Sequence, residues 1–250
     1  MKNILVGILL LFSFITKAQS ADALFLKAND HYKNGNYEKA IEIYQKIDSM
    51  QVVSSELYFN LGNSYYKLNK VAPTIYFYEK ALKINPLNED ARLNLSFATR
   101  MTIDAIEELP KTFLQKFSGA VIRKSSYNTW GIIAVSASFL MALSFLLYYF
   151  SISSGKKLFY FNTSLFMVIV MVITLFFAYS NYQWHLKNRE AIIFAPEITI
   201  KNAPTNTSDE VFELHEGTKV IILDELDNWS KIKIADGKVG WLKTELIKEI

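Results

Sequence analysis

The sequence of 250 residues contains no cysteine, three histidines and nine glycines. The absence of cysteine excludes disulfide bonds, thiolate zinc sites, a cysteine nucleophile and a cysteine-linked lipid anchor. His31, His185 and His215 lie far apart in the sequence, so we expect surface histidines and no metal centre. No nucleophile elbow, Walker loop, dinucleotide-binding turn or HExxH helix occurs. The sequence therefore predicts a non-enzymatic protein without catalytic residues, cofactor or metal.

Positive charge is unevenly distributed, although the net charge is only +3. Residues 22–109 carry 10 basic and 12 acidic side chains, and residues 187–250 carry 9 and 12. The stretches 1–21 and 110–157 together carry 8 basic side chains and no acidic one. Because the excess positive charge accompanies apolar segments and not a folded basic face, we do not expect nucleic acid as a partner.

The N-terminus has the pattern of a secretory signal peptide over residues 1–18. An apolar run of about a dozen residues follows Lys2 and precedes small residues, and it is shorter than the ~20 apolar residues that a membrane span needs. We place cleavage after Ala18. Cleavage after Ser20 and retention as an uncleaved anchor are the alternatives, and either one exports the chain that follows.

Two later runs, 130–150 and 158–180, contain no charged residue and predict a transmembrane helical hairpin. Each can cover the ~30 Å hydrocarbon core as a helix, whereas a buried soluble helix pair is the alternative. Export by the signal peptide places both soluble regions on the exocytoplasmic side, and Lys156 and Lys157 in the hairpin turn agree with the positive-inside rule. Four basic residues before the first span oppose that orientation: Lys111, Lys116, Arg123 and Lys124.

The first soluble region, 21–109, repeats itself with a period of 34 residues. Shifting the chain by 34 aligns Asn29 with Asn63 and Tyr44 with Tyr78. The copies resemble the tetratricopeptide repeat (TPR), with repeats at 21–54 and 55–88 and a capping helix at 89–107. Signature positions of that family are occupied by Ala28, Tyr32, Gly35, Tyr37, Ala40, Tyr44, Ile47, Tyr58, Leu61, Gly62, Tyr65, Ala81 and Pro86.

The TPR resemblance implies an all-α solenoid with a concave groove that binds peptides. Asparagine amides there would hold a peptide backbone and aromatic rings its apolar side chains, unless these residues only fill the repeat. Capture of a C-terminal carboxylate is not expected, because Phe25, Asp90 and Asn94 occupy the positions where that subtype has basic residues. The predicted groove residues are Phe25, Asn29, Tyr32, Lys33, Phe59, Asn63, Tyr66 and Lys67.

A connector over 110–128 alternates apolar and basic residues, which suits either an amphipathic segment on anionic headgroups or a plain linker. Residues 190–250 then contain short β-rich runs separated by turns, including the hairpin signal Asp236-Gly237, and predict a small five-stranded all-β barrel. Its ending, with Gly240-Trp241, resembles the bacterial SH3-like domain. Trp229 and Trp241 form a possible ligand cleft, although we expect Trp241 in the core and Trp229 either at the core edge or on a ligand platform.

The complete order of modules resembles the BatE-like membrane proteins of the bacterial aerotolerance (Bat) operon. That resemblance implies a multi-pass inner-membrane scaffold with periplasmic TPR and SH3-like domains. Its partners would be Bat-type membrane proteins with von Willebrand A-like domains, in a system that includes a MoxR-type ATPase and serves oxidative or envelope stress tolerance. The alternative from the residues is a sensor that binds peptidoglycan through the SH3-like domain.

Overall fold

The computed structural model describes residues 21–250 and divides them into two compact units. One unit combines residues up to Leu109 with Arg189–Ile250, and the other is Pro110–Asn188. The first unit therefore joins the two predicted soluble regions, which are separated by the hairpin in the sequence. The predicted signal peptide, 1–18, lies outside the described residues.

The repeat region of the first unit consists of consecutive helices. They are α1 (residues 21–33), α2 (Tyr37–Ser49), α3 (Ser55–Lys67), α4 (Val71–Ile84) and α5 (Glu89–Ala98). The turns after α1 and α3 use left-handed residues, Gly35 at φ 75° and Asn69 at φ 54°. A Cβ atom on Gly62 would lie 2.5 Å from the ring of Tyr78, so only glycine permits this spacing of α3 and α4.

The helix predicted over 89–107 is shorter than expected. It ends at Ala98, and a 3₁₀ turn follows at Thr99–Met101. The chain then leaves the helix and runs to the β domain, where Ile106 packs against the core and the Leu109 N–H donates to the Ala235 carbonyl at 3.2 Å. Ile106 therefore packs against the sheet instead of extending α5, whereas Ile103 is exposed.

The β domain is an antiparallel sheet in the order β3-β2-β6-β5-β4-β1-β7. Its strands are β1 (Arg189–Ile193), β2 (Glu197–Lys201), β3 (Glu210–His215), β4 (Lys219–Leu226), β5 (Trp229–Lys233), β6 (Val239–Lys243) and β7 (Ile247–Glu249). The predicted closed five-stranded barrel is corrected to an open seven-stranded sheet, because β3 pairs only with β2 and β7 only with β1 among the described strands. The hairpin between β5 and β6 turns at Gly237, with φ 94°.

The second unit contains a helical pair preceded by a short connector. The connector forms α6 (Phe113–Phe117) and a π turn (Ser118–Ile122), and the pair is α7 (Tyr127–Phe150) and α8 (Ser154–Lys187). Ring contacts of Trp130 with Phe177 and of Tyr148 with Phe161 show that the two helices run antiparallel. Both helices are long and apolar enough to cross a membrane, and only 11% of the most apolar window of each is buried.

Candidate functional site

A cavity of about 250 Å³ opens among the helices of the repeat region. Its lining residues are Tyr32 from α1, Asn63, Tyr66 and Lys67 from α3, Tyr78 from α4, and Asn94 and Phe97 from α5. Four of the eight predicted groove residues therefore meet at one cavity. The other four, Phe25, Asn29, Lys33 and Phe59, do not line it, and sequence reasoning missed Tyr78, Asn94 and Phe97.

Asn63 is held in the cavity wall by two hydrogen bonds to its side-chain carbonyl oxygen. Tyr78 Oη donates to Asn63 Oδ1 at 2.7 Å and Asn94 Nδ2 donates to the same atom at 2.9 Å. Because both acceptor positions of that oxygen are occupied, the NH₂ group of Asn63 is the part of the side chain that can serve a ligand. We call this set the Asn63 ladder.

The first repeat contains the same ladder 34 residues earlier. Tyr44 Oη donates to Asn29 Oδ1 at 2.5 Å, and Asn60 Nδ2 donates to it at 3.1 Å. Asn29 therefore has a structural role, and it does not line the cavity. The recurrence of Asn60 at Asn94 is a sequence signal that identifies α5 as the first helix of a third, incomplete repeat.

The ladder tyrosines keep their protons at neutral pH. Burial raises the pKa of Tyr44 to about 12, despite an opposing hydrogen bond from Asn60. Burial also raises the pKa of Tyr78 well above its usual value. Each hydroxyl is therefore a permanent donor, which fixes the orientation of the asparagine amide that it contacts.

The two predicted phenylalanines belong to the packing between helices. The ring of Phe25 lies 5.7 Å from that of Tyr44, and the ring of Phe59 lies 6.0 Å from that of Tyr78. Both pack against the buried core of the repeats. The rings of Phe25 and Phe59 thus pack against the two ladder tyrosines and help to hold them in place.

The mouth of the cavity combines exposed aromatic and basic groups. Tyr66 is 37% exposed and Phe97 is 44% exposed, and the guanidinium of Arg100 lies 5.4 Å from the Phe97 ring. Lys67 is exposed beside them, and no acidic side chain of residues 21–250 lines the cavity. The site can therefore donate hydrogen bonds, cover an apolar side chain and attract a negative charge.

The β domain covers a different face of the same helices. Ile192 from β1 is fully buried in a cluster with Ala72, Ile75 and Tyr78 from α4 and Ala98 from α5. The ring of Phe194 meets that of Tyr76 at 5.6 Å. This contact stands where the second helix of a third repeat would otherwise cover α4 and α5.

Asp104, in the segment after α5, joins the helices to the sheet by hydrogen bonds. Its carboxylate accepts from the His215 backbone N–H at 2.7 Å and from Thr218 Oγ1 at 2.5 Å, and it lies 2.7 Å from His215 Nδ1. Burial opposes ionisation of Asp104, but these hydrogen bonds prevail and lower its pKa. The hydrogen bond that His215 Nδ1 donates to Asp104 raises the pKa of His215. Because of these contacts with Asp104, His215 is an interface residue and not the surface histidine that we expected.

A second polar contact crosses the interface at Lys219. Its Nζ lies 3.0 Å from Glu79 Oε2 on α4 and 2.9 Å from Glu190 Oε2 on β1. Burial disfavours the charge on Lys219, but the two carboxylates outweigh it and raise the pKa of the amine. The repeats and the sheet are thus joined by apolar packing and by polar contacts at its margin, which include those of Asp104 and Lys219 and the hydrogen bond from Lys83 Nζ to the Ile250 carbonyl.

One of the two candidate tryptophans, Trp241, does not occupy the position that we expected. Residues Ser230, Ile232 and Leu242 are buried on the core face of β5 and β6, so Trp229 and Trp241 lie on the opposite face. Trp241 is only half-buried, with Lys231 Nζ 5.9 Å from its ring, whereas Trp229 is buried. Our expectation that Trp241 belongs to the core is therefore corrected.

Comparisons with protein families agree with the two kinds of module. Models described as tetratricopeptide repeat match residues 21–51 and 55–88, and one described as bacterial SH3 domain matches residues 197–248. Family models thus find TPR repeats and a bacterial SH3 domain in this chain. No curated protein matches it. The repeats indicate a non-catalytic interaction fold, and residues 21–250 contain no group of three or more side chains suited to a metal ion.

Proposed function

We propose that this protein is a membrane-anchored scaffold that docks a segment of a partner protein in its repeat groove. The observation that carries the proposal is the cavity between α1, α3, α4 and α5, which remains open although the β domain packs on the same helices. A lone pair of repeats would need a partner for its stability. Here the sheet supplies that cover, which leaves the groove available for a ligand.

The chemistry of the cavity indicates what the docked segment contains. The Asn63 amide NH₂ suits a peptide carbonyl, and the exposed rings of Tyr66 and Phe97 suit an apolar side chain. Lys67 and Arg100 lie at the mouth and favour an acidic residue in the ligand. An extended peptide with an apolar residue next to an acidic one fits all of these groups.

The scaffold would be held in the bacterial inner membrane by α7 and α8. The two ends of this hairpin would lie on the same side of the membrane. Their length, apolar composition and low burial support this placement. The basic residues of the connector oppose the exocytoplasmic orientation that the signal peptide favours. A single cysteine at Ser153 or Ser208 tests it with a membrane-impermeant thiol reagent, because the chain has no cysteine of its own. We expect labelling at position 208 in spheroplasts, whose inner membrane is intact, and labelling at position 153 only after lysis. The reverse pattern would place the soluble unit in the cytoplasm.

Bat-type membrane proteins with von Willebrand A-like domains are the partners that we propose, in a complex linked to oxidative or envelope stress tolerance. The order of the modules supports this assignment. The test is co-purification of the full-length protein in mild detergent, with bound proteins identified by mass spectrometry.

The groove variant for this test combines Tyr66→Ala, Lys67→Ala and Phe97→Ala. It leaves the asparagines intact because Asn29 and Asn63 have ladder roles. The control combines Lys39→Ala and Glu42→Ala, two exposed changes on α2. We expect the groove variant to lose its partners at least tenfold and the control to keep them. Equal retention by both proteins would show that the groove is not the docking site.

Peptidoglycan binding by the β domain is the second candidate. The half-buried Trp241, with Lys231 beside it on the outer face of the sheet, could stack on a sugar and attract a carboxylate. The full chain must be used, because an isolated domain would expose Ile192 and Phe194. Retention on purified sacculi that Trp241→Ala abolishes would support this function, and absence of retention by the native chain would exclude it.

A further inference from the structure

The connector before the hairpin presents apolar side chains that nothing in the described chain covers. Phe113 is 80% exposed and Leu114 is 75% exposed, and Phe117, one turn later on the same helix, is also exposed. The helix itself is well specified, since Thr112 and Gln115 form a reciprocal capping box. A soluble segment would not hold three large apolar groups outward in a fixed helical turn without a partner surface.

The connector is fastened to one end of the hairpin within the same unit. Asn181 on α8 is 2% exposed, and its Nδ2 donates to the Ser125 carbonyl at 2.8 Å. The indole Nε1 of Trp130 on α7 donates to the Ile122 carbonyl at 2.8 Å. Both helices thus hold the backbone of the connector, so its exposed face has a fixed position relative to the ends of the spans.

That end of the hairpin has the composition of a membrane interface. Aromatic rings cluster there, with Tyr127 and Tyr182 at 5.8 Å and the guanidinium of Arg123 at 4.4 Å from the Trp184 ring. Residues 110–157 contain no acidic side chain. Lys116 and Lys124 are exposed on the connector and make no ion pair with the residues that the structure describes. Exposed apolar and basic groups on one segment are the pattern of a helix that lies in an anionic headgroup layer.

We propose that the connector, residues 110–126, is an interfacial anchor that inserts Phe113, Leu114 and Phe117 among the acyl chains and binds anionic phospholipid headgroups through Lys116 and Lys124. This rests on the membrane anchoring proposed above for α7 and α8. The anchor adds a second, lipid-selective attachment to that of the two spans.

The test uses single cysteines, because the native chain has none. Ala120→Cys reports on the connector and Leu140→Cys on the middle of α7, both at exposed positions and both carrying the same fluorophore. The full-length protein is placed in phosphatidylcholine nanodiscs that contain a doxyl quencher on either phosphatidylglycerol or phosphatidylcholine. We expect quenching at both positions, with a preference for the anionic quencher at 120 only.

Two sets of variants assign that preference to the connector. Lys116→Gln and Lys124→Gln should each reduce the preference at 120 by up to about fivefold. The matched pair Lys156→Gln and Lys157→Gln, in the first turn of α8, should leave it unchanged. Phe113→Ser with Leu114→Ser should abolish quenching at 120 and preserve it at 140, which also shows that the hairpin remains inserted.

The remaining outcomes each overturn a different part of the proposal. Equal quenching at 120 by both quenchers would refute the recognition of anionic headgroups. Quenching at 140 without any at 120 would refute surface contact by the connector and leave the membrane anchor standing, as expected if a protein covers the apolar face. Absence of quenching at 140 would refute both the hairpin anchor and the interfacial anchor.

Discussion

The repeat helices have two faces that differ in how completely they are covered. On one face, Ile192 of the sheet is buried in an apolar cluster with Ala72 and Ile75 of α4. On the other, Tyr66 and Phe97 border an open cavity. The difference shows that a short array can obtain its stability from a domain packed on one face and keep the other face for binding.

The largest expected effect comes from opening the covered face. Ile192→Ala removes a fully buried side chain from the helix–sheet cluster and should lower the free energy of unfolding by about 2–5 kcal/mol. Tyr66→Ala, on the open face, should change it by less than about 0.5 kcal/mol. Chemical denaturation of the detergent-solubilised full chain, followed by near-UV circular dichroism, measures both. Similar losses for the two variants would contradict the division into a structural face and a binding face.

Gly217 lies where the β domain approaches the repeat helices closely enough to exclude a side chain. It has φ 86°, and a Cβ atom there would lie 2.9 Å from side-chain atoms of Thr102 and Val71. Gly35 has a similar φ of 75° with nothing within 4 Å of its Cβ position, so it provides the control for backbone strain. Gly35→Ala should cost about 1–2 kcal/mol, and Gly217→Ala should cost a further 1–3 kcal/mol or so from the collision. Equal losses for the two alanine variants would show that the contact is loose.

The sequence predicts the repeats better than it predicts their assembly with the sheet. The 34-residue period predicts the helices and the recurrence of Asn29 at Asn63, because the same residues pack in the same way in each repeat. The contact of Ile192 with α4 joins residues separated by more than a hundred positions, and an apolar strand residue looks the same whether it faces its own core or another domain. The open sheet has the same origin, since turn signals locate strands but do not determine which edges close.

The candidate site shows the same limit. The repeat pattern identifies Tyr32, Asn63, Tyr66 and Lys67 as groove residues because first helices face the concave side. Phe97 occupies the position equivalent to Asn63 in the third, incomplete repeat, so a family position list that stops at two repeats does not include it. The sequence does not determine which face of β6 Trp241 occupies, because a tryptophan beside a buried glycine suits either face of a strand. The pairing with Lys231 shows that Trp241 lies on the face opposite to the core.

Tyr78 connects the two faces, and its hydroxyl should be coupled to the groove. Its ring packs in the helix–sheet cluster, while its Oη donates to Asn63 in the cavity wall. Asn63→Ala leaves that buried hydroxyl without its acceptor and should cost about 1–3 kcal/mol. Once Tyr78→Phe has removed the hydroxyl, the same change at Asn63 should cost less, with a coupling energy of at least 0.5 kcal/mol or so. Denaturation of the four proteins of this cycle gives the coupling, and strictly additive losses would show that the ladder does not link the faces.

The smallest expected effect is a pH dependence of the stability that the contact between Asp104 and His215 provides at the helix–sheet interface. Because the pKa of His215 is raised in the folded state, its contribution is complete below the unfolded pKa near 6.5 and is lost as the pH rises through the folded value. The lowered pKa of Asp104 has the opposite sign, since its contribution is lost only as the pH falls through that value in acid. Asp104, Glu197 and Glu213 all face the imidazole and act in the same direction on it.

Unfolding of the full chain should therefore become easier as the pH rises from about 6.5 through the folded pKa of His215, and His215→Gln should remove that part of the slope. The effect is limited because Thr218 and the backbone N–H of His215 continue to donate to Asp104 at every pH in this range. Asp104→Asn should for the same reason destabilise the unit both below and above the folded pKa of His215. If the native chain and His215→Gln lost stability in parallel, the slope would belong to other groups, and the contact between repeats and sheet would not respond to the charge of His215.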